Sequence, residues 1–308
     1  MTRNPRKIPI VAAMLLGAST VAAGEGGYSN YVPGFYGDLA LAVEPPDGVS
    51  IRNDFYAYSA DGSRSVRSGQ LEASAEIDLR YDYVTILYKP GVEVLGGQVA
   101  FGITPSIGYM DIDARVQAGD TVLGVGDDRL GVGDITLAAN LYWSSGKFNY
   151  MWANYLVTPT GTYDANETAN TGLNYWTFET DVAVTYFNEE TGQDYSVVAG
   201  YGYNTENDDT DYQTGDEFHI DVVLTQFLSE SVGIGVNGFF FRQLSGDSGS
   251  GAVLGGFKGE ASGFGPALYW LRNVSGKDVA FTFKWLHEFD VKHRLKGDHL
   301  FVSFQLSL

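Results

Sequence analysis

Few residues of this chain have the types and spacing that catalysis requires. Gly246-Asp247-Ser248-Gly249 has the form of a serine nucleophile motif, but the mechanism needs a His base beside that Ser and an Asp behind the His. The chain has 4 His, none in a matching context, and glycine and serine here serve a turn more simply. Gly233, Gly235 and Gly238 have dinucleotide-motif spacing. That motif needs a helix after its turn, whereas Val232–Gln243 alternates as a strand. His287-Glu288 lacks the second His of a metalloprotease helix, and His293 and His299 are too isolated in sequence to define a metal site. No Ser is placed to pair with His219 or His287 as a lipase would require. Glu206, Asp208, Asp209, Asp211, Asp216 and Glu217 crowd residues 204–217. They could hold Ca²⁺, although a solvated, self-repelling loop is the simpler reading. The expectation is no enzyme, no cofactor and no metal site.

A different polar set recurs at every second position. Glu72, Ser74, Glu76, Asp78, Arg80 and Asp82 alternate with Leu71, Ala73, Ala75, Ile77, Leu79 and Tyr81, a period that an amphipathic helix would not produce. Glu179 and Asp181 alternate with Phe178, Thr180 and Val182, and His219 and Asp221 with Phe218, Ile220 and Val222. Lys284 lies between Phe283 and Trp285, and the chain ends with Leu300, Val302, Phe304, Leu306 and Leu308 set against Ser303, Gln305 and Ser307. These runs predict about twelve strands. They fall near 49–59, 71–88, 98–111, 131–143, 148–158, 175–187, 194–204, 216–227, 232–243, 260–272, 278–290 and 298–308. Most exceed the five or six residues usual in soluble sheets and match the roughly ten tilted residues that cross a bilayer.

The connections are sorted by length. Those at 144–147, 188–193, 229–231 and 273–277 are short, whereas those near 112–130, 159–174, 205–215 and 244–259 are longer. Tyr88, Trp143, Trp152, Trp176, Tyr186, Trp270 and Trp285 cluster at predicted strand ends, where amphipathic rings suit a membrane interface. The fold expected is all-β: an antiparallel transmembrane β-barrel with short periplasmic turns and long outer loops.

Composition agrees. Gly is high at 39, Pro low at 9, and Cys absent, which favours strands and turns and removes disulfides and thiolate chemistry. Acids outnumber bases 38 to 19, so nucleic acid is not an expected partner. Arg3, Arg6 and Lys7, the apolar stretch 8–18 and Val21-Ala22-Ala23 predict a signal peptide of about 23 residues. No later segment has the ~20 continuous apolar residues of a membrane helix. The expected organisation is a signal peptide over 1–23, an N-terminal segment over 24–48 and a barrel over 49–308, located in the bacterial outer membrane.

Several segments carry a resemblance. They are Tyr31-Val32-Pro33-Gly34-Phe35-Tyr36-Gly37-Asp38, Gly133-Asp134-Ile135-Thr136-Leu137, Pro159-Thr160-Gly161-Thr162-Tyr163-Asp164, Asn174-Tyr175-Trp176-Thr177-Phe178-Glu179, Tyr212-Gln213-Thr214-Gly215-Asp216-Glu217-Phe218 and Asp247-Ser248-Gly249-Ser250-Gly251-Ala252. In these the chain resembles an outer-membrane family named for a MetA pathway of phenol degradation, and the segments run across most of the chain in family order. The resemblance implies a twelve-stranded outer-membrane channel linked to uptake of small, often aromatic or hydrophobic compounds. It brings no catalytic residues. One departure is the terminal Leu308, where many outer-membrane proteins end in an aromatic residue that assists assembly.

If apolar faces look at lipid, the polar faces look inward. The expected pore-lining set is Arg52, Asp54, Glu76, Asp78, Arg80, Asp82, Glu179, Asp181, His219, Asp221, Lys284 and Glu288. Charges of both signs would narrow the pore and set a transverse field. Twelve tilted strands give a backbone diameter of roughly 26 Å and an opening of about 15 Å inside the side chains. The stretch 24–41 is too Gly-rich and irregular for a wall strand, yet its Tyr28, Tyr31, Val32, Phe35 and Tyr36 need burial. It is expected to enter the lumen and constrict it at Tyr31, Val32, Pro33, Phe35 and Tyr36; the rival is a periplasmic tail. The expected function is a channel for small hydrophobic or aromatic molecules, the alternative a structural or adhesive barrel. Expected partners are outer-membrane lipid and lipopolysaccharide, the transported small molecule and the barrel assembly machinery.

Overall fold

The computed structural model describes residues 23–36, 39–66, 71–118, 121–253, 255–274 and 276–307. The signal peptide expected over 1–23 therefore lies outside them except for Ala23, as does the terminal Leu308. Twelve wall strands close one antiparallel ring. They are β1 (Gly48–Val66), β2 (Leu71–Lys89), β3 (Gly97–Thr104 and Ser106–Ala118, broken at Pro105), β4 (Thr121–Val132 and Ile135–Ser145, broken at Gly133-Asp134), β5 (Phe148–Thr158) and β6 (Thr177–Asn188). The second half comprises β7 (Gln193–Asn204), β8 (Glu217–Ser229), β9 (Val232–Gln243), β10 (Glu260–Val274), β11 (Lys277–Lys292) and β12 (Lys296–Ser307). Closure is by β1 and β12, paired from Ser50↔Ser307 to Asp61↔Lys296. Closing the ring satisfies the backbone groups that an edge strand would leave open in lipid.

Both ends of the barrel domain lie at one rim with the short turns, which is the periplasmic rim. The opposite rim is where the first four strands depart from expectation. Residues 112–130 do not form a long loop: β3 and β4 continue as a paired ladder to Ala118↔Thr121, and β1 with β2 continue to Val66↔Leu71. The outer half of β4 pairs with β3 but not with β5, because β5 stops at Thr158 opposite Ile135. The connection 159–176 docks there instead. The Thr162 amide donates to Val132 O at 2.8 Å, and Asp134 accepts from the Gly161 and Leu173 amides at 2.7 Å each. A Cβ on Gly161 would lie 2.6 Å from Gly172 Cα, so both glycines are needed for the approach.

Alternation sets the faces. On β11, Phe281, Phe283, Trp285 and Phe289 are exposed outward, while Lys284, Leu286 and Glu288 are buried inward. On β2 the expected facing is reversed. Ile77, Leu79 and Tyr81 are buried, packed in one cluster with Tyr31, Tyr56 and Phe301, while Glu76, Asp78 and Arg80 are exposed. Asp82, half-buried, accepts from Asn53 Nδ2 on the outer surface. These four charges therefore do not line the pore. Glu76, Asp78 and Arg80 lie where β1 and β2 continue towards the outer rim, and an outer face that meets water there accounts for a polar side turned out and an apolar side over the lumen contents.

The facing predicts a contrast. Phe283→Arg should lower barrel stability by about 2–4 kcal/mol, the cost of a cation on the lipid face. Asp78→Asn should stay within about 0.5 kcal/mol of the parent. Denaturant unfolding in lipid vesicles, read by heat-modifiable gel migration, measures both; similar losses would mean the outer face of β2 is not in water.

Candidate functional site

The lumen is crossed by the chain's own N-terminal residues. At the outer rim the Gly24 amide donates to Asp247 Oδ2 at 3.1 Å. At the periplasmic rim Glu44 and Asp47 pair with Lys89 at the end of β2. Between these points Val32-Pro33-Gly34-Phe35 forms a tight turn closed by the Phe35 amide on Val32 O at 3.0 Å. Pro at the second and Gly at the third position suit that turn, and Gly34 has φ +80°.

The wall grips this turn through buried charges. Asp221 on β8 accepts from the Tyr31 hydroxyl at 3.0 Å and from the Gly34 amide at 3.3 Å. Lys284 on β11 donates to Gly34 O at 2.8 Å and lies 4.5 Å from the Phe301 ring centre. Arg52 on β1 lies over the Phe35 ring at 5.2 Å and bonds Asp54 through Nε and Nη2 at 2.9 and 2.6 Å. Asp54, fully buried, also accepts from Ser303 Oγ. Further along the segment, Asp194 accepts from the Ala40 amide at 2.6 Å and Thr185 Oγ1 from the Ala42 amide at 2.9 Å.

His219 sits at the centre of these contacts. Its Nδ1 is 2.8 Å from Asp221, and its Nε2 is 3.2 Å from Glu179 and 3.6 Å from Asp181. The rings of Tyr31 and Tyr36 lie near-parallel to the imidazole, with centres 4.2 and 5.3 Å away. The Tyr36 hydroxyl donates to Glu179 at 2.5 Å. Strand register explains the grouping: Gly200 on β7 is the cross-strand partner of both Asp181 and His219, so the two side chains face each other over a glycine.

A second inward cluster lies nearer the outer rim. Glu288 accepts from the Tyr58 hydroxyl at 3.1 Å and the Gly297 amide at 2.8 Å. His299 Nε2 is 3.3 Å from Glu288, and its Nδ1 is 3.0 Å from the Tyr56 hydroxyl. Sequence reasoning passed over His299 as isolated because its partners are supplied by β1 and β11. Tyr56, Tyr58, Tyr83, Tyr142 and Tyr155 also lie outside the expected pore-lining set, which consists of charged residues and a histidine. Alternation was the available signal, since Tyr155 shares a strand face with Met151 and Ala153.

The segment packs chiefly on β6–β12 and leaves space along the first five strands. A cavity of about 400 Å³ is lined by Phe35, Tyr36, Tyr83, Tyr142, Tyr155, Glu179 and Arg52 among others. A smaller one of about 100 Å³ lies among Tyr28, Tyr56, Tyr58, Leu79, Tyr81 and Arg294. Tyr31, Val32 and Tyr83 line both. Pro33 lines the smaller cavity. Of the expected inward set, Arg52, Asp54, Glu179, Asp181, His219, Asp221, Lys284 and Glu288 face the lumen contents.

The outer loops tie down the start of the segment. Asp247 of the Gly246-Asp247-Ser248-Gly249 stretch accepts from Tyr212 OH, the Gly215 amide and Gln243 Nε2, while Ser248 pairs with Gln213. Glu25 accepts from Thr210 Oγ1 at 2.7 Å and Asn207 Nδ2 at 2.9 Å. Burial nevertheless raises its pKa above the ordinary 4.5.

Residues 57–304 match the model described as "Putative MetA-pathway of phenol degradation", and the chain belongs to that family. The fold is similar to that of the COG4313 outer membrane channel from Pseudomonas putida F1, with TM-score 0.61 and 16% identity over 90% of this chain and 100% of that one. The translocator domain of autotransporter NalP from Neisseria meningitidis gives TM-score 0.42 and 11% identity over 98% of each chain. No curated protein matches. The molecule is a twelve-stranded β-barrel of the bacterial outer membrane.

Two predictions concern the docked segment. Gly34→Ala places a Cβ about 3.0 Å from Leu286 Cδ1 at a positive φ; the backbone strain alone is about 1–2 kcal/mol. Proteolysis within residues 23–47 should accelerate about 5–30-fold. The second follows from Glu25: its raised pKa means that ionisation weakens docking, so the contact is strongest on the acid side and loses stability as pH rises from 4.5 through the folded-state pKa. Protease resistance of the segment should therefore increase on acidification towards 4.5, and Glu25→Gln should reduce that pH dependence.

Proposed function

We propose that the barrel is a passive channel for small, largely apolar molecules, including single-ring aromatic compounds. The observation that supports this reading is the cavity of about 400 Å³ between the N-terminal segment and the first five strands. Binding pockets for small molecules fall in the range of about 300–1,000 Å³, and a space of about 150 Å³ accepts benzene. Tyrosine and phenylalanine rings supply flat apolar contact in the cavity, while Thr85, Thr104, Thr136 and Asn140 supply neutral polar groups and Arg52, Glu44 and Glu179 charged ones. Aromatic faces favour aromatic solutes through offset or edge contacts worth about 0.5–1.5 kcal/mol each.

The wall alone would pass larger solutes, so selection falls to the inserted segment. Tyr31, Val32 and Tyr83 line both cavities, which supports reading their junction as the narrow point of a route from the outer rim. At the junction the Tyr31 hydroxyl is engaged with Asp221. A passing apolar solute therefore does not have to displace strongly bound water at that ring. The name of the family supports a link to aromatic catabolism.

Planar-bilayer recording tests the reading. The parent barrel should show small openings, reduced reversibly by phenol or toluene but not by a sugar of similar mass. Deleting residues 24–36 should raise conductance severalfold and abolish the block by aromatics. A correctly assembled, heat-modifiable deletion variant that conducts no better than the parent would sink the role of the segment. A parent and variant that never conduct would favour a structural barrel.

A further inference from the structure

We propose that Glu179, Asp181 and His219 form a binding site in the lumen for a divalent transition metal of the zinc type. One ligand atom from each of the three buried residues lies within 4.8 Å of the others. His219 Nε2 is 3.2 Å from Glu179 Oε1 and 3.6 Å from Asp181 Oδ1. A tetrahedral ion with bonds of 2.0–2.1 Å separates its ligand atoms by about 3.3 Å. The three groups are therefore spaced as donors around one ion.

Three further observations point to a bound cation. Asp181 is fully buried, yet neither of its carboxylate oxygens has a hydrogen-bond partner. Among the described residues, the ion pairs of Glu179 and Asp181 run only to His219. A buried carboxylate left in that state is costly, and a cation between it and its neighbours removes the cost. Second, His219 Nδ1 is 2.8 Å from Asp221 Oδ2. Donation from Nδ1 to a carboxylate fixes the tautomer and turns the Nε2 lone pair towards Glu179 and Asp181, the arrangement that surrounds metal-bound histidines. Third, the backbone between the donors is Gly200. A Cβ there would lie 2.0 Å from His219 Nε2 and 2.3 Å from Asp181 Oδ1. The glycine keeps open the space on which the donors converge.

The donor set selects the ion. One imidazole and two carboxylates suit zinc, cobalt or another first-row divalent ion, whereas Ca²⁺ takes six to eight oxygens. Three protein donors leave a fourth position, and one of the three, Glu179, also lines the cavity of about 400 Å³. Tyr36 bonds the same Glu179, so a metal here would strengthen the hold of the wall on the N-terminal segment. The assignment does not depend on which solutes pass through the lumen.

The test uses the full-length barrel in detergent, stripped with a chelator and titrated with Co²⁺ and then Zn²⁺. The expected result is one tight equivalent, with the visible absorption of low-coordinate Co²⁺ bleached by Zn²⁺. Asp181→Asn should remove that equivalent. Gly200→Ala, which keeps every donor and fills the space between them, should do the same. Asp221→Asn should weaken binding by about 10–100-fold, the usual effect of losing an outer partner of a metal-bound histidine. Heat-modifiable migration reports whether each variant has folded; if one has not, the other two still decide the matter. Absence of a tight equivalent in the parent, an octahedral Co²⁺ spectrum, or undiminished binding by folded Asp181→Asn and Gly200→Ala would overturn the site, leaving His219 as a protonated partner of the carboxylates.

Discussion

Asp221 holds the interior of this barrel together. Its carboxylate is buried, so it must be met by donors, and the donors come from both wall and insert: His219 Nδ1, the Tyr31 hydroxyl and the Gly34 amide. Hydrogen bonds to a charged group are worth about 1.5–3 kcal/mol each. A flexible tail could not occupy the lumen in one conformation without such contacts, because ordering each residue costs about 1–2 kcal/mol of backbone entropy. The Val32–Phe35 turn is the segment's most strongly held part, with Lys284 on its carbonyl and Arg52 on its aromatic ring. A ring of twelve strands encloses more space than its own inward side chains fill, and the insert reduces that space to the two cavities on its free side.

The same period of two carries opposite meanings in different solvents. Beside lipid, the apolar face of a strand turns outward, as on β11, and polar groups gather inside. Beyond the bilayer the outer face meets water, and the alternation of β2 is the other way round, with Ile77, Leu79 and Tyr81 over the lumen contents. A strand that passes through both regions can carry both patterns. The run from Glu76 to Arg80 has the facing of a water-facing sheet, although its spacing looks like that of a membrane wall.

The segments that carry the family resemblance meet one another in space. Asp134 beside Gly133 caps amides in the connection that begins at Pro159-Thr160-Gly161. Asp247 gathers Tyr212, Gly215 and the start of the insert. Glu179, last of the Asn174–Glu179 stretch, bonds Tyr36 of the insert. These motifs build the outer loops and seat the N-terminal segment. The resemblance to a serine nucleophile at Ser248 is accounted for by the same arrangement, since its neighbour Asp247 is committed to four donors of the loops and insert.

Period-two alternation, sorted turns and an aromatic-rich, Gly-broken N-terminal stretch were enough to specify an antiparallel membrane barrel of about twelve strands. These are local properties: a strand in lipid must alternate, and short turns must be made by neighbours in sequence. Inward facing was equally legible for Arg52, Asp54, Glu179, Asp181, His219, Asp221, Lys284 and Glu288, which lie on strands whose other face meets lipid. What sequence could not decide depends on residues far apart in the chain. The facing of Glu76, Asp78, Arg80 and Asp82 turns on how far β1–β4 rise beyond the bilayer. The pairing of His299 with Tyr56 and Glu288, and the convergence of Glu179, Asp181 and His219 over Gly200, turn on cross-strand register. Register is set by closure of the ring and by the breaks at Pro105 and Gly133-Asp134, and it brings together side chains whose separation along the sequence carries no sign of their contact.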